Sequence, residues 1–135
     1  MRLLLDTHAF LWWWTDDKKL PTRARAAIAS AEVVWVSAAS VWEMAIKTTL
    51  GKLRFTGSVA DAVEACTFTR LAVEFEHAEA VRTLPLHHSD PFDRLLIAQA
   101  IVEGATLVTH DRPSRATKWP RSGADDLRSA FRQVG

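Results

Sequence analysis

The chain has 135 residues with a formal net charge of +1, and its hydrophobic and charged fractions of 48% and 24% are ordinary for one globular domain. The single cysteine, Cys66, excludes an internal disulfide and so argues against a secreted disulfide scaffold. The apolar run at residues 3–5 stops at Asp6 and is too short for a signal peptide or a membrane span, so we expect a cytoplasmic protein without membrane contact.

Short apolar runs alternate with helical patterns along the whole chain. The first part predicts a strand at 3–5, an apolar stretch at 8–14, a helix from Pro21 to about 31, a strand at 33–36, and a helix at 38–50 that stops at Gly51. The rest predicts a helix at 59–68, a strand at 71–73, a helix near 77–83, a helix at 91–103 closed by Gly104, and a strand at 106–109. This alternation predicts a single α/β domain with a central parallel sheet and helices on both faces.

Acidic residues recur where strands end or where the following helices begin. In open parallel sheets, ligands bind beyond the carboxyl ends of the strands. We therefore expect five carboxylates to gather at one edge of the sheet, namely Asp6, Glu43, Asp90, Asp93 and Asp111. The glycine patterns of dinucleotide-binding folds and P-loops are absent from the sequence, so this edge does not bind phosphate groups through either motif.

Each carboxylate also has a purely structural interpretation. Asp6 and Asp90 fit helix N-caps, and the segment from Ser40 to Glu43 fits a capping box. A favourable interaction with a helix dipole would be enough to explain Asp93, and a place in a turn would be enough to explain Asp111. These interpretations compete with a binding site at every position.

Taken jointly, the carboxylates favour a site for a divalent cation. Carboxylates that crowd together repel one another, and Mg²⁺ relieves this repulsion by taking a few carboxylates and several waters as ligands. Such an ion lowers the pKa of a bound water and stabilises charge at a scissile phosphate. A zinc site lacks its ligand spacing here, and nothing in the sequence indicates a covalent nucleophile.

Four segments resemble the PIN-domain family, and especially the VapC toxins of bacterial toxin–antitoxin pairs. They read LLDTHAFLW at 4–12, VSAASVWEMAIK at 36–47, DPFDRLLIAQA at 90–100 and LVTHD at 107–111. The third segment is the most specific of the four. The resemblance covers residues 1 to about 111, which we take as the PIN-like nuclease core.

Carried over position by position, the resemblance implies a metal site that is also the catalytic site, formed by Asp6, Glu43, Asp93 and Asp111. Asp90 would support that site, and Thr7 and Thr109 would orient its carboxylates. Arg94 would contact RNA phosphate or pair with Asp90, and we favour the pairing.

The resemblance also implies an activity and partners. The activity is the hydrolysis of RNA phosphodiester bonds by a water activated by Mg²⁺ or Mn²⁺. The partners are an RNA substrate, a VapB-type antitoxin protein and a second copy of the chain in a homodimer.

The chain departs from the family pattern after Asp111. The family continues with a short helix and a final apolar strand, whereas residues 118–123 offer no such strand and residues 124–134 predict a polar helix. Residues 112–135 form a basic segment of the same domain with a charge balance of +4, against −3 for residues 1–111. This segment could steer a polyanion towards the acidic edge, or it could be plain solvated surface.

Aromatic residues and histidines supply the remaining expectations. Three consecutive tryptophans at 12–14 spread over about 200° of a helix, so at least one should be exposed or lie at an interface with a partner. Trp35 and Trp42 are expected in the core, and Cys66 as a small buried residue. His87 and His88 are expected as polar loop residues, with proton transfer as the alternative.

Two other functions compete with the nuclease hypothesis. A phosphatase of the haloacid-dehalogenase type would need a second aspartate two residues after Asp6, where the chain has His8, so we discount it. A catalytically silent PIN-like module that binds RNA or a partner remains the alternative, because the altered tail could have lost activity while the acidic positions stayed intact.

Overall fold

The computed structural model describes residues 1–85 and 90–109. The helices and strands follow one another in the order β1 (Arg2–Leu5), α1 (Thr7–Trp14), α2 (Thr22–Ser30), β2 (Val33–Ser37), α3 (Ala38–Thr49), α4 (Val59–Ala65), β3 (Thr69–Leu71), α5 (Phe75–Ala80), a 3₁₀ turn (Val81–Thr83), α6 (Pro91–Glu103) and β4 (Thr106–Val108). In these residues, no helix has the length and apolar character needed to cross a bilayer.

The strands form a parallel sheet in the order β3-β2-β1-β4. Leu5 at the end of β1 pairs with Val36 of β2 on one side and with Val108 of β4 on the other. The next residues along these three strands, Asp6, Ser37 and Thr109, therefore lie side by side at the carboxyl edge. The chain runs from β1 towards β2 and returns to β4 on the opposite side, and ligands bind at such a switch in strand order.

The two faces of the sheet carry separate apolar cores, because successive side chains of a strand point to opposite faces. Leu3, Leu5 and Val108 pack with α1, α2 and α4 on one face. Leu4 and Leu107 pack with α6 on the other. The fold class expected from the sequence, a single α/β domain with a parallel sheet between helices, is confirmed.

Several element boundaries differ from the sequence predictions; the helix expected near residues 77–83, for example, is α5 at Phe75–Ala80 followed by the 3₁₀ turn. Helix α4 ends at Ala65 instead of residue 68, because the chain turns at Thr67, where φ is +58°. Strand β3 covers Thr69–Leu71 instead of residues 71–73. Its pairing with Trp35 to Ser37 of β2 decides which residues extend the sheet, and local hydrophobicity could not reveal that partner.

Side-chain burial corrects two further expectations. Trp35 is buried as predicted, with 9% of its surface exposed, but Trp42 is 61% exposed and does not belong to the core. Among the three consecutive tryptophans, Trp14 is 42% exposed, in agreement with the prediction that one of them would face solvent. Cys66 is only half-buried, and this burial raises the pKa of its thiol.

Candidate active site

Asp6 follows β1 directly, and the sheet holds its backbone in place. Its backbone N–H donates to the carbonyl of Val108 at 2.9 Å, which extends the β1–β4 ladder by one residue. The residue is 3% exposed, and its Oδ1 accepts the N–H of Ala9 at 2.7 Å. Asp6 is therefore the N-cap of α1, as one of the two interpretations predicted, and it also places a buried carboxylate at the carboxyl edge.

Glu43 is held on α3 by a neighbour from α1 and by a neighbour from its own helix. The hydroxyl of Thr7 donates to its Oε1 at 2.6 Å, and the ammonium of Lys47 lies 2.9 Å from its Oε2. The side chain of Glu43 is 11% exposed. Because Thr7 adjoins Asp6 in the chain, the Thr7–Glu43 hydrogen bond brings two of the predicted site positions together across a gap of 36 residues.

The predicted capping box between Ser40 and Glu43 is wrong. The N-cap of α3 is Ser37, whose hydroxyl accepts the N–H of Ala39 at 3.0 Å. Helix α3 starts immediately after β2, so Ser40 lies inside the first turn and Glu43 one turn further along. Glu43 is thereby available to contact α1 instead of the start of its own helix.

Asp90 and Asp93 lie at the start of α6. Oδ1 of Asp90 accepts the N–H of Phe92 at 2.8 Å and that of Asp93 at 3.2 Å, so the predicted capping role of Asp90 is confirmed. Helix α6 is about 20 Å long and joins β4 through only Gly104 and Ala105. Helix α6 therefore runs back across the sheet, and its first residues lie towards the carboxyl ends of the strands. The half-buried Asp93 is one of these first residues.

Arg94 binds the backbone that precedes α6. Its guanidinium donates to the carbonyls of Pro85 at 2.7 Å and Val81 at 3.1 Å, with a longer contact to Leu84 at 3.4 Å. The sequence did not predict these contacts, which tie the start of α6 to the end of the preceding turn. Pairing with Asp90 and contact with RNA phosphate both stay predictions.

The fourth predicted ligand lies outside the described residues. Thr109 is half-buried directly after β4, but Asp111, His87, His88 and residues 112–135 fall outside the ranges that the structure describes. Within residues 1–85 and 90–109, no three His, Cys, Asp or Glu side chains come close enough together to hold a metal ion. The structure thus joins Asp6, Thr7 and Glu43, and places Asp93 on the helix that runs to the same edge.

The donor chemistry of this edge fits a hard divalent cation. Its side chains offer carboxylate and hydroxyl oxygens, which are the ligands and water-binding groups that Mg²⁺ prefers. Ser40 lies one turn before Glu43 on the same face of α3 and is fully buried. Its hydroxyl has no hydrogen-bond partner within the described part of the chain. An unsatisfied buried hydroxyl costs about 1–3 kcal/mol, and a bound water or ligand usually satisfies such a group.

Besides the contacts of Arg94, further contacts of the site region were not predicted from the sequence. Lys47 lies four residues after Glu43, a spacing at which a glutamate and a lysine face each other on a helix, so this pair was detectable. The hydroxyl of Ser37 also donates to Oε1 of Gln99 at 2.5 Å, while Nε2 of Gln99 donates to the carbonyl of Ala72 at 3.2 Å. Ser37 and Gln99 are 62 residues apart, and no local pattern connects them.

Comparisons with known proteins agree with this architecture. The family model of the PIN domain matches residues 3–119. Ribonuclease VapC22 of Mycobacterium tuberculosis is 32% identical over 126 residues, which cover 88% of this chain and 94% of that relative.

Two solved structures share the fold at low sequence identity. One is the crystal structure of VapBC2 from Rickettsia felis bound to a DNA fragment from their promoter, with a TM-score of 0.58, 15% identity, and coverage of 82% of this chain and 89% of that chain. The other is a toxin–antitoxin complex from Klebsiella pneumoniae, with a TM-score of 0.55, 16% identity, and coverage of 84% and 88%. The family match and the 32% identity over most of both chains show that this chain belongs to the PIN-domain family, as a VapC-type member.

Proposed function

We propose that this chain is the toxin of a toxin–antitoxin pair and acts as a divalent-metal-dependent endoribonuclease. The observation that carries the proposal is the pair of buried carboxylates, Asp6 and Glu43, joined through Thr7 at the switch point of the sheet. Buried carboxylates that lie close together favour the binding of a cation, which here would add to the compensation that Lys47 gives Glu43. A site of this kind is suited to bind a metal and, through it, a phosphodiester.

The metal would be Mg²⁺ or Mn²⁺, held by Asp6, Glu43, Asp93 and Asp111. When bound, such an ion supplies an activated water and stabilises negative charge on the phosphate. Thr7 orients Glu43 through its 2.6 Å hydrogen bond, and Thr109 would act on Asp111 in the same manner. Asp90 and Arg94 fix the start of α6 and thereby the position of Asp93.

The substrate would be RNA, and the acidic edge alone would repel its phosphates. Cations therefore have to lead the strand to the site, and the basic residues 112–135 are suited to this steering. We place the activity in the cytoplasm, where its RNA substrate would be found. The solved complexes that share the fold support a VapB-type antitoxin as partner. We also propose a homodimer.

A catalytically silent RNA-binding or partner-binding module is the second candidate function. It is favoured by one observation, namely that Thr7 and Lys47 engage both oxygens of Glu43. The ammonium of Lys47 already compensates the charge of this carboxylate. If Lys47 keeps that place, the edge would bind metal weakly and would not cleave RNA.

Expression in a bacterial host separates the two candidates. Wild type and Asp93→Asn are induced at equal levels, growth is followed, and the 5′ ends of cellular RNA are sequenced. Asp61→Asn is the matched control, because Asp61 also lies in the first turn of a helix but is exposed on α4. We expect wild type and Asp61→Asn to arrest growth and to create the same discrete RNA ends, which Asp93→Asn lacks. If no variant creates new ends although all accumulate as folded protein, the silent module becomes the better proposal.

A further inference from the structure

The indole of Trp42 is exposed in a way that its apolar sequence context does not explain. It lies on α3 with 61% of its surface open to solvent. Its ring meets that of Phe92 at 69°, with the centroids 5.1 Å apart. In such an edge-to-face pair, the edge of one ring points at one face of the other, so each ring keeps at least one face that its partner does not cover. Trp42 is therefore held by an aromatic neighbour while part of its surface stays available to another flat ring.

This aromatic pair lies next to two of the proposed metal ligands. Trp42 directly precedes Glu43 on α3, and Phe92 directly precedes Asp93 on α6. Consecutive side chains on a helix diverge by about 100°, so Glu43 is buried against Thr7 while Trp42 faces solvent. The pair thus forms an aromatic rim beside the acidic edge, built on the same two helices.

A groove continues from the aromatic rim over the surface of the domain. Trp42 is one of its walls, and the groove has a volume of about 440 Å³ between α3, α4 and β3. Its other walls are mostly aliphatic, with Val41, Ala45 and Leu71 among them, and the exposed, positively charged Arg70 also lines it. The flat, exposed ring of Trp42 and the cationic Arg70 at the same groove match the two parts of a nucleotide, its base and its phosphate.

Resting on the ribonuclease function proposed above, we infer that Trp42 and Phe92 form a stacking platform for one unpaired base of the RNA. Arg70 contacts a phosphate of the same strand. Stacking on an aromatic side chain accepts any base, because every base offers a π face. The platform therefore supplies affinity for a single strand beside carboxylates that would repel it, and leaves the choice of sequence to other contacts.

Binding in EDTA tests the platform without any cleavage. The probes are a short single-stranded oligouridylate and an oligomer of equal length that carries no bases. We expect wild type to prefer the oligouridylate, and Trp42→Ala to bind it about 5- to 100-fold more weakly. Trp42→Ala should no longer distinguish the two probes, whereas Trp42→Phe should retain most of the preference. The matched control is Phe75→Ala, because Phe75 is 86% exposed on α5 and is not among the residues that line the groove, so its removal should leave both affinities unchanged.

Two results of the binding experiment would overturn the platform. One is an unchanged affinity of Trp42→Ala for oligouridylate, with a thermal unfolding midpoint close to that of wild type. The other is a change in the oligomeric state of Trp42→Ala with unchanged oligouridylate affinity, which would identify the rim as a protein interface.

Cleavage then separates a failure of the platform from a failure of the nuclease. On the RNA identified by 5′-end sequencing, Trp42→Ala should raise KM and leave kcat nearly unchanged, whereas Asp93→Asn should abolish turnover. If wild type creates RNA ends and Trp42→Ala keeps the KM of wild type, the platform is wrong and the nuclease stands. If wild type creates no ends but Trp42→Ala loses base-dependent binding, the nuclease is wrong and the platform stands.

Discussion

Asp6 combines two tasks that the sequence presented as alternatives. Its Oδ1 caps α1 through the N–H of Ala9, and its carboxylate lies buried at the carboxyl edge of the sheet. Capping needs only an acceptor oxygen, which an amide also provides, whereas binding a divalent cation needs the negative charge. The two tasks can therefore be separated by Asp6→Asn, which replaces one carboxylate oxygen by an amide nitrogen.

Asp6→Asn should keep the fold and lose the activity. The amide oxygen can still accept the N–H of Ala9, and the loss of one negative charge relieves repulsion at the edge, so we expect the free energy of unfolding in EDTA to equal or exceed that of wild type. RNA cleavage should fall by more than about 100-fold, because even residues that only orient metal ligands contribute 10- to 100-fold. Urea unfolding and cleavage of the identified RNA provide the two measurements.

Asp6→Ala completes the comparison, because it removes both the cap and the charge. It should lose cleavage and be about 1 kcal/mol less stable than Asp6→Asn, which keeps the cap. Normal cleavage by Asp6→Asn would show that Asp6 is a helix cap and nothing more.

At the scale of elements, Ser37 connects the sheet to both helices of the candidate site. It ends β2, caps α3 through the N–H of Ala39, and donates to the buried Oε1 of Gln99 on α6. Gln99 in turn contacts the buried ring of His77, whose Nε2 lies 2.8 Å from a carboxylate oxygen of Glu103. This buried polar chain fixes the relative position of α3, α5 and α6, two of which carry proposed ligands.

Ser37→Ala should lower the free energy of unfolding by more than the loss of a helix cap alone would. Removal of the cap costs about 1 kcal/mol. The substitution also leaves Oε1 of Gln99 buried without this donor, which costs about 1–3 kcal/mol more. We therefore expect a loss of about 2–4 kcal/mol in the free energy of unfolding, measured by urea denaturation in the absence of metal.

Ser58→Ala is the matched control for Ser37→Ala. Ser58 caps α4 through the N–H of Asp61, but this contact is exposed and no buried partner depends on it. Its removal should cost about 1 kcal/mol or less. Equal losses in the two variants would show that the Ser37–Gln99 hydrogen bond adds nothing to stability.

At the scale of the whole molecule, the sheet concentrates negative charge at one edge. The strands deliver Asp6 and Thr109 there, and the helices deliver Glu43 and Asp93. Folding therefore brings these carboxylates closer together than they are in the unfolded chain, and Lys47 compensates the charge of Glu43. A cation that binds only the folded state offsets the remaining repulsion and adds to the stability of the entire domain.

Mg²⁺ should raise the thermal unfolding midpoint of wild type. At a free concentration 100 times its dissociation constant, an ion that binds only the native state stabilises it by about 2.7 kcal/mol. Sodium chloride at equal ionic strength controls for general screening of surface charge. Asp6→Asn should lose most of the Mg²⁺-specific shift. Equal shifts in wild type and Asp6→Asn would contradict a metal site at this edge.

Much of the fold could be predicted from the sequence because the relevant signals are local. The buried strands at 3–5 and 33–36 are continuous apolar runs, and α6 is marked by Asp90 and Pro91 at its start and by Gly104 directly after its end. Gly104 closes that helix with φ at +64°, a conformation that glycine adopts without the steric cost of a Cβ. The same local signals placed Asp6 and Asp93 where strands end and helices begin.

Tertiary structure alone decided which of these residues touch. The bond from Thr7 to Glu43 joins α1 to α3, and that from Ser37 to Gln99 joins β2 to α6, so neither follows from a pattern within one element. The start of β3 and the exposure of Trp42 also depend on which other elements of the fold lie next to them. The physical reason is that a strand or helix takes its form from neighbouring residues, whereas burial and partners depend on contacts between residues that are far apart in the chain.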